Sequence, residues 1–270
     1  MNIFKVGDIV GRKSYGSDIY FRISNIIQNR GYKPVYVLKG LMYRIEADSD
    51  EDDLEKLDVQ KVRSNINSTL SDAKRNMKKC LYRSNRLLFP LFRAEPGKIL
   101  HIDADKDFLD MCIQHYREAK ISHVGELASE SKQPGVVRKL LEKHNPDILV
   151  VTGHDSIKKN ADKQDSLSNY RNSGYFIESV KEARKYEPSN RKLCVFAGAC
   201  QSYFEAIMEA GANFASSPGR ILINALDPAF VSEKVALTDY RMMVTPREIS
   251  LITISGSEGI GGINTRGHLK

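Results

Sequence analysis

Two apolar runs in the chain each end at a residue with a reactive side chain. The run over residues 147–153 leads to His154, and the run over residues 192–199 leads to Cys200. Both runs are rich in β-branched residues, lack strict polar alternation and are flanked by helical patterns, which is typical of parallel strands buried on both faces. Parallel neighbours bring their carboxyl ends to one edge of an α/β sheet, where such sheets place their sites. The sequence therefore predicts that this imidazole and this thiol lie within reach of one another.

From residue 98 onward the chain alternates short apolar runs with amphipathic stretches, which is the pattern of a βαβ sheet. Strands are predicted at 99–104, 122–128, 147–153, 192–200 and 213–216. Helices are predicted at 105–119, 135–143, 175–186, 204–210 and 228–236, and a late strand at 249–254. The fold class predicted for residues 98–270 is therefore α/β, with a mostly parallel sheet flanked by helices.

The earlier part of the chain has a different pattern. Residues 1–46 contain short β-type runs, such as 19–23 and 35–40, divided by turns, which predicts a small SH3-like β-barrel that binds a partner rather than catalyses. Residues 47–97 are predicted to be a charged linker and a basic helical segment, because an acidic run at 48–58 precedes a stretch rich in Lys and Arg. The basic segment is either a solvated helix face or a docking surface for acidic partners.

Composition argues against several classes of protein. No apolar stretch reaches the roughly 18 residues that a membrane-spanning helix requires, and the polar start lacks the apolar segment of a secretory signal, so we expect a soluble intracellular protein. The four cysteines have no C-x-x-C spacing and the histidines are not clustered, which argues against a zinc site and a disulfide framework. We therefore expect reduced thiols and neither a metal nor a cofactor.

Cys200 differs from the other cysteines in its position. It follows a predicted strand and is expected to open a helix, whose amino terminus would stabilise a thiolate. Free cysteines usually only pack in the core, as we expect for Cys194 in mid-strand, and packing is the alternative for Cys200. Among the histidines, His154 is placed at the carboxyl end of a central predicted strand, although a lone histidine is more often a hydrogen-bonded residue than a base. Cys200 and His154 together therefore support the prediction of a catalytic site more strongly than either residue does alone.

The order of these motifs resembles a known group of enzymes. A strand ending in Gly-His154, followed about fifty residues later by a strand ending in Ala-Cys200-Gln, is similar to the caspase, legumain, gingipain and separase group of cysteine peptidases. Over nearly the whole chain, from residues 4–8 through 151–155 to 196–202, the sequence also resembles the YabG family of sporulation-specific cysteine proteases of spore-forming Firmicutes. The resemblance implies a caspase-like sheet and a cysteine endopeptidase that needs no cofactor.

The resemblance also implies roles for individual residues. Cys200 matches the nucleophile and His154 the acid-base residue, and the backbone N–H groups of Cys200 and Asp155 match the pair that holds the oxyanion. The wider group usually has glycine where this chain has Asp155, so we expect its carboxylate to point away from the oxyanion and toward the substrate. Because relatives commonly orient the histidine with a backbone carbonyl, an acidic third member is not required.

Cleavage near arginine, which the resemblance implies, needs a carboxylate in the specificity pocket because a guanidinium pairs best with a planar anion. The candidates are Asp103 and Asp105, at the end of the first predicted strand of the α/β part, and Asp155. Capping of the following helix is the alternative role for Asp105. Ser216, after the fifth strand of that sheet, is a candidate for lining the same pocket, with an ordinary loop position as its alternative.

The biological role that the resemblance implies is the trimming of spore coat and cortex-assembly proteins in the mother-cell cytoplasm, in association with the forming coat. Its partners are then protein substrates and not nucleic acid. A net charge of +7 leaves a different class open, a non-catalytic basic scaffold that binds nucleic acid or spore proteins, in which Cys200 and His154 only pack. The glycine-rich segment 256–262 lacks the Gly-Lys-Ser/Thr ending of a phosphate loop and is predicted to be a flexible tail.

Overall fold

The computed structural model describes residues 4–28, 32–84, 94–158 and 166–270. The chain forms two compact units, residues 1–72 and 73–270. Residues 85–93 of the predicted basic segment lie outside the described residues, and the boundaries predicted at 46/47 and 97/98 stay predictions. Within the described residues, no helix has both the length and the apolar character needed to cross a membrane.

The first unit contains a five-stranded antiparallel sheet in the order β4-β3-β2-β1-β5. Its strands are β1 (Ile9–Arg12), β2 (Phe21–Ile27), β3 (Val35–Gly40), β4 (Glu46–Asp50) and β5 (Leu54–Lys56). Phe21 and Ile23 are buried, and Arg22 between them is exposed. This alternation places the core of the unit on one face of the sheet, where Tyr36 and Leu38 also lie. The SH3-like assignment stays a prediction.

The acidic run that was expected to be a linker is part of this sheet. It forms β4, a short 3₁₀ turn at Glu51–Asp53 and β5. The carboxylate of Asp53 accepts hydrogen bonds from Arg12 Nε at 2.8 Å and from the backbone N–H of Ser14 at 2.7 Å, so the charge has partners within the unit. Acidic side chains also suit β4 because it is an edge strand, where charge discourages pairing with other chains.

The second unit is built on a six-stranded sheet in the order β12-β10-β9-β8-β6-β7. All neighbours in it are parallel except β10 and β12, which confirms a mostly parallel α/β sheet. The strands of this unit are β6 (Ile99–Asp103), β7 (His123–Leu127), β8 (Ile148–Thr152), β9 (Cys194–Ala197), β10 (Phe214–Ser216), β11 (Met243–Val244), β12 (Ile260–Gly262) and β13 (Thr265–Arg266). Strands β11 and β13 pair with each other in a small separate sheet.

Helices cover both faces of the six-stranded sheet. The helices of the described residues are α1 (Val59–Ser84), α2 (Lys106–Glu118), α3 (Gln133–His144), α4 (Ser173–Tyr186), α5 (Phe204–Glu209), α6 (Asp227–Ala236), α7 (Pro246–Ile252) and α8 (Gly256–Gly259). Helices α3, α4 and α5 pack on one face, against Leu149, Val151 and Val195 among others. Helices α2 and α6 lie on the opposite face, where the hydroxyl of Tyr116 contacts the ring of His101 at 3.0 Å. The central strands are buried on both faces, as the apolar runs predicted.

The carboxyl-terminal part of the chain differs from the sequence-based expectation. The late strand predicted at 249–254 was wrong, because this stretch lies mostly in α7. Pro246 occupies the first turn of α7, and Thr245 with Glu248 forms a capping box, and both are signals for a helix start. The prediction missed them because it relied on the apolar run alone.

The glycine-rich segment is ordered secondary structure and not a tail. It forms α8 and then β12, which pairs with β10. A Cβ atom at Gly262 would collide with the ring of Phe214 and lie 2.5 Å from the carbonyl oxygen of Asn213. The glycine is therefore required by close packing and not by flexibility. His268, further along the chain, is buried, and its N–H donates to the carbonyl of Val235.

Candidate active site

The pairing of β8 with β9 sets the relative height of His154 and Cys200. Val151 is the register partner of Ala197, and in each segment the candidate side chain comes three residues after this pair. The N–H of Gly198 donates to the carbonyl of Val151 at 3.1 Å, so the strands are still joined just before they diverge. The two residues therefore leave the sheet at the same level, on its carboxyl edge.

The His154 side chain lies beside α2, and the segment that contacts Cys200 also reaches this helix. The His154 ring lies 6.1 Å from the ring of Phe108, in the first turn of α2. The Cys200 sulfur accepts a hydrogen bond from the N–H of Ile223 at 3.2 Å. Two residues further on, the carbonyl of Ala225 accepts from the thiol of Cys112, which is one turn along α2. Helix α2 thus lies beside His154 and contacts the segment that covers Cys200.

Cys200 is positioned by an unusual turn. Gly198 has a φ of 111°, Gln201 of 55° and Ser217 of 65°, so left-handed backbone flanks the thiol on two segments. Such conformations are costly for non-glycine residues and are concentrated at functional sites. The expectation that Cys200 opens a helix is corrected, because α5 begins only at Phe204. Cys200 is 1% exposed, and its sulfur contacts the backbone of Ile223, which covers it.

Asp155 ties the turn after His154 to the turn after Cys200. Its carboxylate accepts from the hydroxyl of Ser173 at 2.5 Å, from the hydroxyl of Ser202 at 3.1 Å and from the N–H of Asn172 at 2.8 Å. Burial raises the pKa of Asp155 above its ordinary value, against the opposing effect of these donors. The carboxylate is directed into the protein, and contact with a substrate stays a prediction for this residue.

Asp103 belongs to a buried polar network beneath the site. Its carboxylate accepts from the hydroxyl of Thr152 at 2.8 Å and from the N–H of Asp105 at 2.9 Å. The hydroxyl of Thr152 also contacts the ring of His101 at 2.9 Å. Asp103 is fully buried, so it holds the ends of β6 and β8 together, and its predicted contact with a substrate arginine stays a prediction.

Asp105 has two partners. One carboxylate oxygen caps α2 by accepting from the N–H groups of Asp107 and Phe108, at 2.9 and 3.3 Å. The other lies 3.1 Å from Nε2 of His154. The cap was foreseen as the alternative role for this residue, but the contact with His154 was not, because the helix start and the histidine are far apart in the sequence.

Ser216 ends β10 beside the turn that carries Cys200. A Cβ atom at Gly198 would lie 3.2 Å from Cβ of Ser216, so the two backbones approach closely. The Ser216 hydroxyl is buried and has no hydrogen-bond partner among the described residues. The next hydroxyl, of Ser217, accepts from the N–H of Gln201 at 3.1 Å and donates to the carbonyl of Ile221 at 2.8 Å. These serines connect the Cys200 turn to the segment that covers it.

Glu130 contributes to the candidate site, although the sequence analysis did not identify it. It lies in a short 3₁₀ turn after β7, and its carboxylate accepts from the N–H of His154 at 2.7 Å. A Cβ atom at Gly153 would lie 2.6 Å from that same carboxylate oxygen. Because Gly153 has no side chain, Glu130 has room to reach the backbone N–H of His154. No motif around Glu130 signalled this role.

The other cysteines are also buried. Burial raises the pKa of the Cys194 thiol to about 12, as expected for a cysteine that only packs. In the described part of the chain, no group of three His, Cys, Asp or Glu side chains is arranged to hold a metal ion.

Together, fold and site define an α/β protein that carries a thiol, an imidazole and acidic groups at the carboxyl edge of a mostly parallel sheet. The family model "YabG peptidase U57" matches residues 5–270. The sporulation-specific protease YabG of Bacillus subtilis (strain 168) is 38% identical over 280 residues, which cover 99% of this chain and 97% of that protein. The chain therefore belongs to the YabG peptidase family and is a peptidase. No solved structure gave a significant match.

Proposed function

We propose that the protein is a cysteine endopeptidase that uses a Cys200–His154 dyad. The observation that carries the proposal is the shared register, in which Val151 pairs with Ala197 and one member of the dyad follows three residues after each of these partners. The position of α2 beside His154 and its contact with the segment that covers Cys200 support it further. A nucleophile and a base brought together by neighbouring parallel strands are suited to acyl transfer.

In this mechanism the Cys200 thiolate attacks the carbonyl carbon of the scissile bond. His154, protonated by the thiol, gives the proton to the leaving amine and then activates a water that hydrolyses the acyl-enzyme. The backbone N–H groups of Cys200 and Asp155 stabilise the tetrahedral oxyanion. The inward direction of the Asp155 carboxylate supports this, because its charge is engaged with Ser173 and Ser202 and not directed at the oxyanion.

A peptide must reach a sulfur that Ile223 covers. This segment is hydrogen-bonded to the Cys200 turn, through the bonds from Ile223 N–H to Cys200 and from Gln201 N–H to the carbonyl of Ile221 among others. Ile221 itself is partly exposed. We propose that substrate displaces this segment and takes over its hydrogen bonds, with Ser216 lining the pocket that opens.

Cleavage at arginine is part of the proposal. Four carboxylates, those of Asp103, Asp105, Glu130 and Asp155, lie at this edge of the sheet. Several negative charges close together create a negative potential that favours binding of a cationic side chain. This holds even where an individual carboxylate already has a hydrogen-bond partner. Asp103, Asp105 and Asp155 are the residues proposed to contribute to that preference.

The proposed substrates are spore coat and cortex-assembly proteins. The similar protein from Bacillus subtilis is named a sporulation-specific protease, which supports a protease role in sporulation for this chain. We propose that it acts in the mother-cell cytoplasm, in association with the forming coat.

The proposal is tested with arginine- and lysine-containing reporter peptides. Cys200→Ala and His154→Ala should each lower kcat/KM by at least about 100-fold, since either change removes a member of the dyad. Cys80→Ala and His144→Ala are matched controls away from the site and should retain activity. Full turnover by Cys200→Ala would refute the assignment, and salt-dependent nucleic-acid binding without any peptidase activity would favour the scaffold.

A further inference from the structure

We infer that Asp105 is a positioning residue that orients His154 and stabilises its protonated form, so that the site acts as a Cys-His-Asp unit. The inference rests on the proposed function. It differs from the arginine-binding role proposed above, because it makes Asp105 act through the histidine on every substrate.

The geometry of the contact carries the inference. Oδ2 of Asp105 lies 3.1 Å from Nε2 of His154, which is hydrogen-bonding distance for a ring N–H and a carboxylate. The Asp105 side chain is 7% exposed and that of His154 is 30% exposed. Because little water reaches the carboxylate, its interaction with an imidazolium is weakly screened. A contact of this kind fixes both the angle of the ring and which nitrogen carries the proton.

The carboxylate of Asp105 is itself held in place. Its other oxygen accepts from two N–H groups at the start of α2, and its own N–H donates to Asp103, which in turn accepts from Thr152 at the end of β8. The strand that ends just before His154 and the helix that starts at Asp105 are thereby joined through one network. A rigidly held carboxylate is what a positioning role requires.

The direction of the ring follows from this contact. With Nε2 facing Asp105, Nδ1 is the nitrogen that serves the thiol of Cys200. A neutral histidine then donates from Nε2 and accepts the thiol proton at Nδ1, and the resulting imidazolium lies beside a negative charge. That charge stabilises the imidazolium and favours the thiolate-imidazolium pair.

Other carboxylates near His154 act differently. Glu130 binds the backbone N–H of His154. Asp155, next in the chain, is directed toward Ser173 and Ser202. Asp103 binds the N–H of Asp105 and the hydroxyl of Thr152. All three add negative potential around the ring, but the hydrogen bond to Nε2 comes from Asp105.

The test uses Asp105→Asn, which retains the shape and the capacity to cap α2 but not the charge. We expect kcat to fall by at least about tenfold with KM little changed, because proton transfer is impaired and binding is not. The alkaline limb of the kcat/KM profile should move to lower pH, since the imidazolium loses its proton more easily. Alkylation of Cys200 by iodoacetamide, measured without substrate, is slow because the cover over the sulfur must first be displaced, and in the variant it should require higher pH than in wild type.

Two matched variants separate positioning from structure. Asp105→Ser keeps a good helix cap without a carboxylate and should show the same altered profiles with an unchanged melting temperature. Thr245→Ala removes the cap of α7 instead and should lower stability without moving either pH profile.

Three outcomes are decisive. Wild-type pH profiles in Asp105→Asn would overturn the inference. A loss confined to KM for arginine substrates, with lysine and neutral reporters unaffected, would also overturn it and assign Asp105 to the specificity pocket. If Cys200→Ala were still active, the proposed function would fail first, and the alkylation profile of Asp105→Asn would still report whether the carboxylate acts on His154.

Discussion

At the residue scale, two carboxylates near the dyad hold the turns that carry His154 and Cys200. The carboxylate of Glu130 binds the N–H of His154, and that of Asp155 binds the turn after Cys200 through Ser202. Each of these contacts fixes the backbone from which a reactive side chain extends. Neither contact is made with the reactive atoms themselves. Substitutions that leave the dyad intact should therefore still reduce activity.

Gly153→Ala tests the contact between Glu130 and His154. The new methyl group would lie 2.6 Å from the Glu130 oxygen and 3.0 Å from Cβ of Ala104, so we expect stability to fall by about 1–2 kcal/mol and kcat to fall more than fold stability explains. Chemical denaturation and steady-state kinetics would measure the two effects.

Gly135→Ala is the matched control for that substitution. Gly135 lies in α3 with nothing within 4 Å of its added Cβ, so alanine should raise stability by up to about 1 kcal/mol with kcat unchanged. If Gly153→Ala behaved in the same way, the positioning role of Glu130 would be excluded.

At the element scale, the strands and helices around the site were largely predictable. The runs ending at Gly153 and Ala199 were apolar without alternation, and both contain strands of the parallel sheet. The prediction failed where pairing depends on distant residues. Strand β12 is short and glycine-rich, and its glycines are explained by the close approach of the rings of Phe204 and Phe214 and of the Asn213 carbonyl oxygen. The contact of Asp105 with His154 was missed for the same reason, because local sequence shows a helix cap but not what lies beside it.

Gly262→Ala tests whether β12 depends on close approach. The added methyl group would meet the backbone oxygen of Asn213 at 2.5 Å, and backbone cannot move aside as a side-chain end can. We expect a loss of roughly 1–3 kcal/mol in thermal or chemical unfolding. Gly174→Ala, at the start of α4 with its nearest neighbouring atom 3.9 Å away, is the control that should cost little. Equal stability of the two variants would contradict the packing explanation.

At the scale of the whole molecule, buried charge couples the stability of the protein to pH. Asp227, at the start of α6, is fully buried and accepts from the N–H groups of Ile254 and Ser255 at 2.7 and 3.0 Å. Burial raises the pKa of Asp227 to about 6. Between its ordinary value of 3.8 and about 6, the folded protein holds a proton that the unfolded chain has lost.

Stability should therefore fall as pH rises through this window and should level off above it, because both states are then ionised. Asp227→Asn removes the titration, so the melting temperature of this variant should depend less on pH between about 4 and 6 than that of wild type. Asp110→Asn, which changes an exposed carboxylate of α2, should leave the slope unchanged. An unaltered slope in Asp227→Asn would show that the residue does not ionise in this range.

The cover of Ile223 over Cys200 has a consequence for how long the protein keeps its reactivity. Peroxide and other small oxidants attack accessible thiolates, and a sulfur with 1% of its residue surface exposed meets them rarely. A molecule without substrate should thus resist sulfenic acid formation. Binding of a peptide displaces the cover, and when the product leaves, the sulfur is exposed to oxidants. Ageing of the protein by oxidation would then track the number of turnovers and not elapsed time.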